Sequence, residues 1–156
     1  MLRRMTTLFT IGYEGATIAA FLDTLVEAGV KTLVDVRAVP ASRKPGFSKK
    51  GLSAALAERG IAYRHLQRLG TPVAGRTAAR AGDHATMRDI YLAHLEAADA
   101  RAEMAMLVDQ AQESPSALLC FERRPGDCHR SVLFDALEAP DLAVEHLFVP
   151  LEGRDG

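Results

Sequence analysis

Thr32-Leu33-Val34-Asp35-Val36 is a short run of β-branched and apolar residues, and its reading decides the fold. Such a run is a strand buried inside a sheet. It sits between two helical patterns. Before it, Thr17 is placed to cap a helix, with Ile18, Phe21, Leu22 and Leu25 at helical spacing and Gly29 as the stop. After it, a loop with Pro40, Pro45 and Gly46 leads to Ser48 as a cap, Leu52, Ala55 and Leu56 as an inner face, and Gly60 as a stop. Working outward, Thr7–Ile11, Ile61–Leu66, Ser116–Phe121 and Val144–Val149 read as further strands. Gln67 to Asp83 shows no period and reads as loop. One long or broken helix is expected from Thr86 to Gln112, and another after an Asp127 cap, with Val132, Leu133, Ala136 and Leu137 inward.

Strands alternating with helices predict an α/β fold: a mostly parallel sheet of about five strands with helices on both faces. The 156 residues suit one compact domain with its core at about 7–150 and a frayed tail at Gly153 to Gly156. An apolar content of 48% excludes disorder as the main state. No run is long enough to span a membrane, the start does not resemble a secretory signal, and two cysteines do not make a disulfide scaffold. A soluble cytosolic protein with no membrane partner is expected.

The net charge of −1 conceals an asymmetry. From Val36 to Gly82 there are ten basic residues (Arg37, Arg43, Lys44, Lys49, Lys50, Arg59, Arg64, Arg68, Arg76 and Arg80) against one acid, Glu58. That segment carries +9 and the remainder −10. The excess either meets an anionic partner or is a solvated surface.

Ligands of open α/β sheets bind beyond the carboxyl ends of the strands. Those exits carry Tyr13 and Glu14, then Asp35, Arg37 and Arg43, then His65, then Cys120, Glu122 and Arg123. Gly126-Asp127-Cys128-His129-Arg130-Ser131 opens the following helix, whose first turn offers unpaired N–H groups to an anion. Arg130 can clamp that anion, His129 can move a proton, and Cys128 is either a lowered-pKa nucleophile or a packed thiol. Asp35 and Arg37 share one strand face. They either pair with one another or act separately as acceptor and anion contact. The Arg43-Lys44-Pro45-Gly46-Phe47 segment reads as a loop closing over an anion or as a turn anchored by Phe47. His94 and His146 read as packed histidines. Cys120, Cys128, His129 and His65 lack the spacing of a zinc site.

Five ordered segments resemble the domain-of-unknown-function family 488. They are Thr10-Ile11-Gly12-Tyr13-Glu14-Gly15, Asp35-Val36-Arg37, Ser42-Arg43-Lys44-Pro45-Gly46-Phe47, His65-Leu66-Gln67-Arg68-Leu69-Gly70, and Leu119-Cys120-Phe121-Glu122 with Cys128-His129-Arg130. Thr71 departs from the pattern, where a second glycine is expected. The resemblance implies a compact α/β domain with these motifs in one site. It supplies no activity.

Function therefore rests on the site. Glu14, Asp35, Cys128 and His129 are the candidate catalytic residues. Tyr13, Arg37, Arg43, His65, Cys120, Glu122 and Arg130 are the candidate ligand contacts, with Arg37, Arg43 and Arg130 converging on one anion. The set suits an enzyme acting on a phosphate-bearing small molecule, a nucleotide or a nucleic-acid end. A nucleic-acid-binding module is the second reading, and a thiol-based redox or regulatory protein the third. No Gly-x-Gly-x-x-Gly or Walker loop is present, and no cofactor or metal is expected.

Overall fold

The computed structural model describes residues 5–124 and 129–151. The Asp127 cap, Cys128 and the tail at Gly153 to Gly156 lie outside the described residues. The elements run β1 (Thr6–Gly12), α1 (Ile18–Glu27), β2 (Thr32–Asp35), α2 (Lys49–Glu58), β3 (Ala62–His65), a 3-10 turn (Gln67–Leu69), α3 (Val73–Arg80), α4 (His84–Leu95), α5 (Ala98–Glu113), β4 (Ser116–Cys120), α6 (His129–Ala136) and β5 (Leu142–Leu147). The five strands form one sheet in the order β3-β2-β4-β1-β5, and every pairing is parallel. Among the described residues, no helix is long and apolar enough to cross a membrane.

Alternation along the strands divides the core. Leu8, Val34 and Leu118 face α4, α5 and α6, where Tyr91, Leu107 and Leu133 are buried. Ile11, Leu33, Ala117 and Leu119 face α1 and α2, where Phe21, Leu25, Leu52 and Leu56 are buried. Successive side chains of a strand point to opposite faces, so the central strands are apolar on both. That is why Thr32–Asp35 and Ser116–Cys120 are buried along their whole length.

Three local expectations change. Gln67–Asp83 is not loop: it holds the 3-10 turn and the eight-residue α3. Gly75 interrupts the apolar pattern there because Thr71 packs where a side chain would go. A Cβ on Gly75 would lie 2.6 Å from the Thr71 methyl. The helix expected as long or broken is broken, divided at Glu96 and Ala97 without any Gly or Pro. The division lets Leu95 and Ala100 enter the same apolar cluster. Ser48 precedes α2 as expected, but its hydroxyl makes no bond to that helix. It closes the preceding loop instead, accepting from the Ser42 N–H at 2.9 Å and donating to the Ser42 carbonyl at 3.1 Å. The Thr17 cap is formed, accepting from Ala20 N–H at 3.2 Å. The last strand begins two residues earlier than the sequence suggests, because Leu142 and Ala143 already pair with Thr6 and Thr7.

Candidate functional site

Asp35 is the last residue of β2 and has no solvent exposure. A buried carboxylate is tolerable only if its oxygens are matched by donors. The Arg37 guanidinium supplies two in bidentate geometry, Nε to Oδ1 at 2.9 Å and Nη2 to Oδ2 at 2.8 Å. The Arg37 backbone N–H adds a third at 3.1 Å, and the Tyr63 hydroxyl a fourth at 2.5 Å. Burial and the bond to Asp35 push the Tyr63 hydroxyl up, holding it as a donor. Burial alone would lower the Arg37 pKa; the Asp35 carboxylate outweighs it and raises the value. Of the two readings of this pair, mutual pairing is the geometry found.

The rest of the Arg37 guanidinium fixes the neighbouring exits. Its Nη1 donates to the Phe47 carbonyl at 2.7 Å and to the Tyr13 hydroxyl at 3.2 Å. Phe47 is fully buried and stacks on the Tyr13 ring, with centroids 4.6 Å apart and planes 9° apart. The Ser42–Phe47 loop is thus a turn anchored by Phe47. Arg43 projects from it into solvent. His65 Nε2 donates to the Arg37 carbonyl at 2.8 Å, since that oxygen can only accept.

The fourth exit folds back on the first. The Glu14 carboxylate accepts from the Arg123 N–H at 3.0 Å. Arg130, in the first turn of α6, is fully buried, and its Nη2 donates to the Arg123 carbonyl at 2.8 Å. Gly12 makes this closure possible, since the Glu122 carbonyl lies against its Cα where a side chain would stand. His146, in β5, bonds the buried Thr10 hydroxyl at 2.6 Å, and His94 bonds the Arg68 carbonyl at 2.7 Å.

A cavity of about 540 Å³ opens at this carboxyl edge. That volume is within the roughly 300–1,000 Å³ of small-molecule sites. The strand exits contribute Tyr13, Arg37, Ala38, Val39, Ala41, Cys120, Phe121 and Glu122, and α6 contributes His129. Thr71 and residues of α3 and α4 (Arg76, Ala79, Arg80, His84 and Met87) complete the lining. Glu14, Asp35, Arg43, His65 and Arg130 do not line it. Of the three arginines expected on one anion, Arg37 alone lines this cavity. Arg37 is spent on Asp35 and Phe47, Arg43 is exposed, and Arg130 binds a backbone carbonyl.

Besides Arg37, two cavity residues carry shifted protonation. Burial is the largest influence on Glu122 and pushes its carboxyl up; nearby Glu14 adds to this, while its own backbone, the Cys120 thiol and Arg130 oppose it. Burial likewise holds His129 at a pKa of about 4, against a weaker opposing bond from its ring to the Val36 carbonyl. That bond, 2.8 Å from Nε2, requires the ring nitrogen to donate. His129 is therefore a neutral imidazole with its proton on Nε2. Because its folded pKa lies below the ordinary 6.5, the unfolded chain binds more protons between those values. Stability from this group is complete above pH 6.5 and is lost as the pH falls toward 4. The full shift corresponds to about 3 kcal/mol, an upper bound because the ring keeps some contact with the cavity. His129→Gln should flatten the stability profile between pH 6.5 and 4 in urea titrations. An unchanged slope would refute the assignment.

Arg76 and Arg80 were not among the sequence candidates, although both belong to the +9 segment. They stand four apart on α3 and so share one helical face. Pro72, directly before the first turn, was the available signal, and Gly75 obscured it. Other members of the segment are neutralised by distant acids: Arg59 by Asp23 at 2.8 Å and Arg68 by Asp99 at 3.3 Å. Among the described residues, Arg76 and Arg80 make no ion pair; Arg76 Nη1 bonds the Thr71 carbonyl at 3.0 Å. Thr71, the departure from the family pattern, is thus buried and packed against the helix that carries both arginines. Among the described residues, no three His, Cys, Asp or Glu side chains group as metal ligands.

The family model described as a domain of unknown function, DUF488, matches residues 17–137. No curated protein and no solved structure gives a significant match to the chain.

Proposed function

The chain belongs to the DUF488 family, and we propose that it is an enzyme acting on a phosphate-bearing small molecule held in the cavity at the carboxyl edge of the sheet. The observation that carries this reading is the wall of α3 and α4, where Arg76 and Arg80 face one cavity with no carboxylate partner among the described residues. A guanidinium matches phosphate oxygens in bidentate fashion. His84 on the same wall adds a further donor.

Glu122 is the proton donor in this scheme. A carboxyl pushed toward its protonated form can lie near an anionic substrate without repelling it and can release a proton to a leaving group. His129, with a pKa of about 4, is a weak base at neutral pH. It suits hydrogen bonding to the substrate better than proton abstraction. Asp35 and Arg37 serve as the rigid support that holds Tyr13 and Phe47.

A thermal-shift titration with nucleoside monophosphates, sugar phosphates and inorganic phosphate tests the reading, because a ligand stabilises only the state it binds. Stabilisation is expected with at least one class. Arg76→Ala and Arg80→Ala should each weaken it by about tenfold or more, the value of a charge-assisted hydrogen bond. Glu122→Gln should bind like the parent and lose roughly 10²–10⁴ in turnover. Absence of any shift at millimolar ligand, or unaltered binding by both arginine variants, would refute the proposal.

A further inference from the structure

Large apolar side chains share the cavity lining with its charged and polar residues. Val39, Met87 and Phe121 are among them. Phe121 is 47% exposed and Val39 54% exposed, in a chain that buries Phe21 and Phe47 completely. Large apolar side chains gathered at one cavity mark a surface that a partner covers. Phe121 is also held in place: its ring meets the Tyr13 ring at 5.3 Å and 81°, and Tyr13 is itself stacked on Phe47. The rest of the Phe121 surface stays open to solvent.

We propose that the cavity takes a phosphate monoester of an aromatic or heteroaromatic body, of the nucleoside monophosphate class. The ring lies against Phe121 and Val39, and the phosphate meets Arg76 and Arg80. This rests on the phosphate reading above and narrows it. A sugar phosphate has no ring to lay on Phe121 and Val39, and hydroxyls placed against those two side chains would lose their bonds to water, whereas the ribose of a nucleoside monophosphate can face the polar lining of Thr71, His84 and Glu122. Inorganic phosphate would leave Phe121 and Val39 wet. An aromatic ring meets neither cost, and stacking on an aromatic side chain tolerates many rings because each has a π-face.

Calorimetric titration of the full chain with phenyl phosphate, adenosine 5′-monophosphate, ribose 5-phosphate, inorganic phosphate and adenosine separates the possibilities. The two aromatic phosphates should bind at least about tenfold tighter than ribose 5-phosphate and inorganic phosphate. Phe121→Ala should erase that difference and leave ribose 5-phosphate binding unchanged. Val39→Ser, at a second exposed position, should narrow the difference too. Arg80→Ala should weaken all four phosphates. Equal affinities for the four in the parent, all reduced by Arg80→Ala, would overturn the aromatic assignment and leave the phosphate reading standing. Adenosine binding as tightly as its monophosphate, or no phosphate binding at all, would overturn both.

Discussion

Asp35→Asn should destabilise the protein by about 3–5 kcal/mol, the cost of removing one partner from a buried ion pair. The carboxylate accepts four hydrogen bonds and has no contact with solvent. Asparagine keeps the shape but removes the charge, and its NH2 group confronts donors from Arg37 or Tyr63. The Arg37 guanidinium, nearly as buried, is then left without a counter-charge. Urea unfolding measures the loss, and a loss below about 1 kcal/mol would show that the pair does not anchor the strand exits. The double variant Asp35→Asn with Arg37→Met should be less unstable than the sum of its single changes, because the second change removes the orphaned charge. Tyr63→Phe should cost less, about 1 kcal/mol, as one neutral donor is lost to a carboxylate that keeps three.

Gly12→Ala should be at least as damaging, by about 4 kcal/mol or more, a range reached only by severe local conflicts. Its new Cβ would stand 1.8 Å from the Glu122 carbonyl oxygen and 2.5 Å from the carbonyl carbon. Both are backbone atoms, so no rotamer relieves the clash. Gly12 is paired with Cys120 at the end of β1 and β4, adjacent strands of the sheet interior. Relief therefore means separating those strands at the floor of the cavity. Arg130 Nη1 lies 2.9 Å from the same position and would be displaced too. Circular dichroism and urea denaturation would reveal the loss. A variant with parental stability would mean that the Glu122–Arg123 segment does not close over Gly12.

The order of elements was legible because it rests on local periodicity. Leu33 and Val34, or Ala117 and Leu118, point to opposite faces whatever surrounds them, so the five strands were readable one by one. The failures have a common cause. Val73–Arg80 carries two arginines, a glycine and a proline-led start, and apart from the exposed Val73 its apolar residues are alanines. Its helix is held by packing on α4, through Gly75 against Ile90. Such contacts leave no periodic trace. Which of the two expected forms the next helical stretch takes, long or broken, is likewise set by where Leu95 and Ala100 find the core.

That ionisable residues collect at the carboxyl ends of parallel strands was readable from the chain, since alternation and strand direction follow from its own pattern. The same pattern determined that Asp35 and Arg37 share a face. How their charges are used depends on the folded arrangement. A guanidinium binds whichever oxygen the fold brings within about 3 Å, and that oxygen is often far along the chain. Arg37 closes on Asp35, Arg59 reaches Asp23 and Arg68 reaches Asp99. Arg130 turns to the Arg123 carbonyl. Arg76 and Arg80, which looked like surface charge, are the pair that the packing of α3 sets against the cavity.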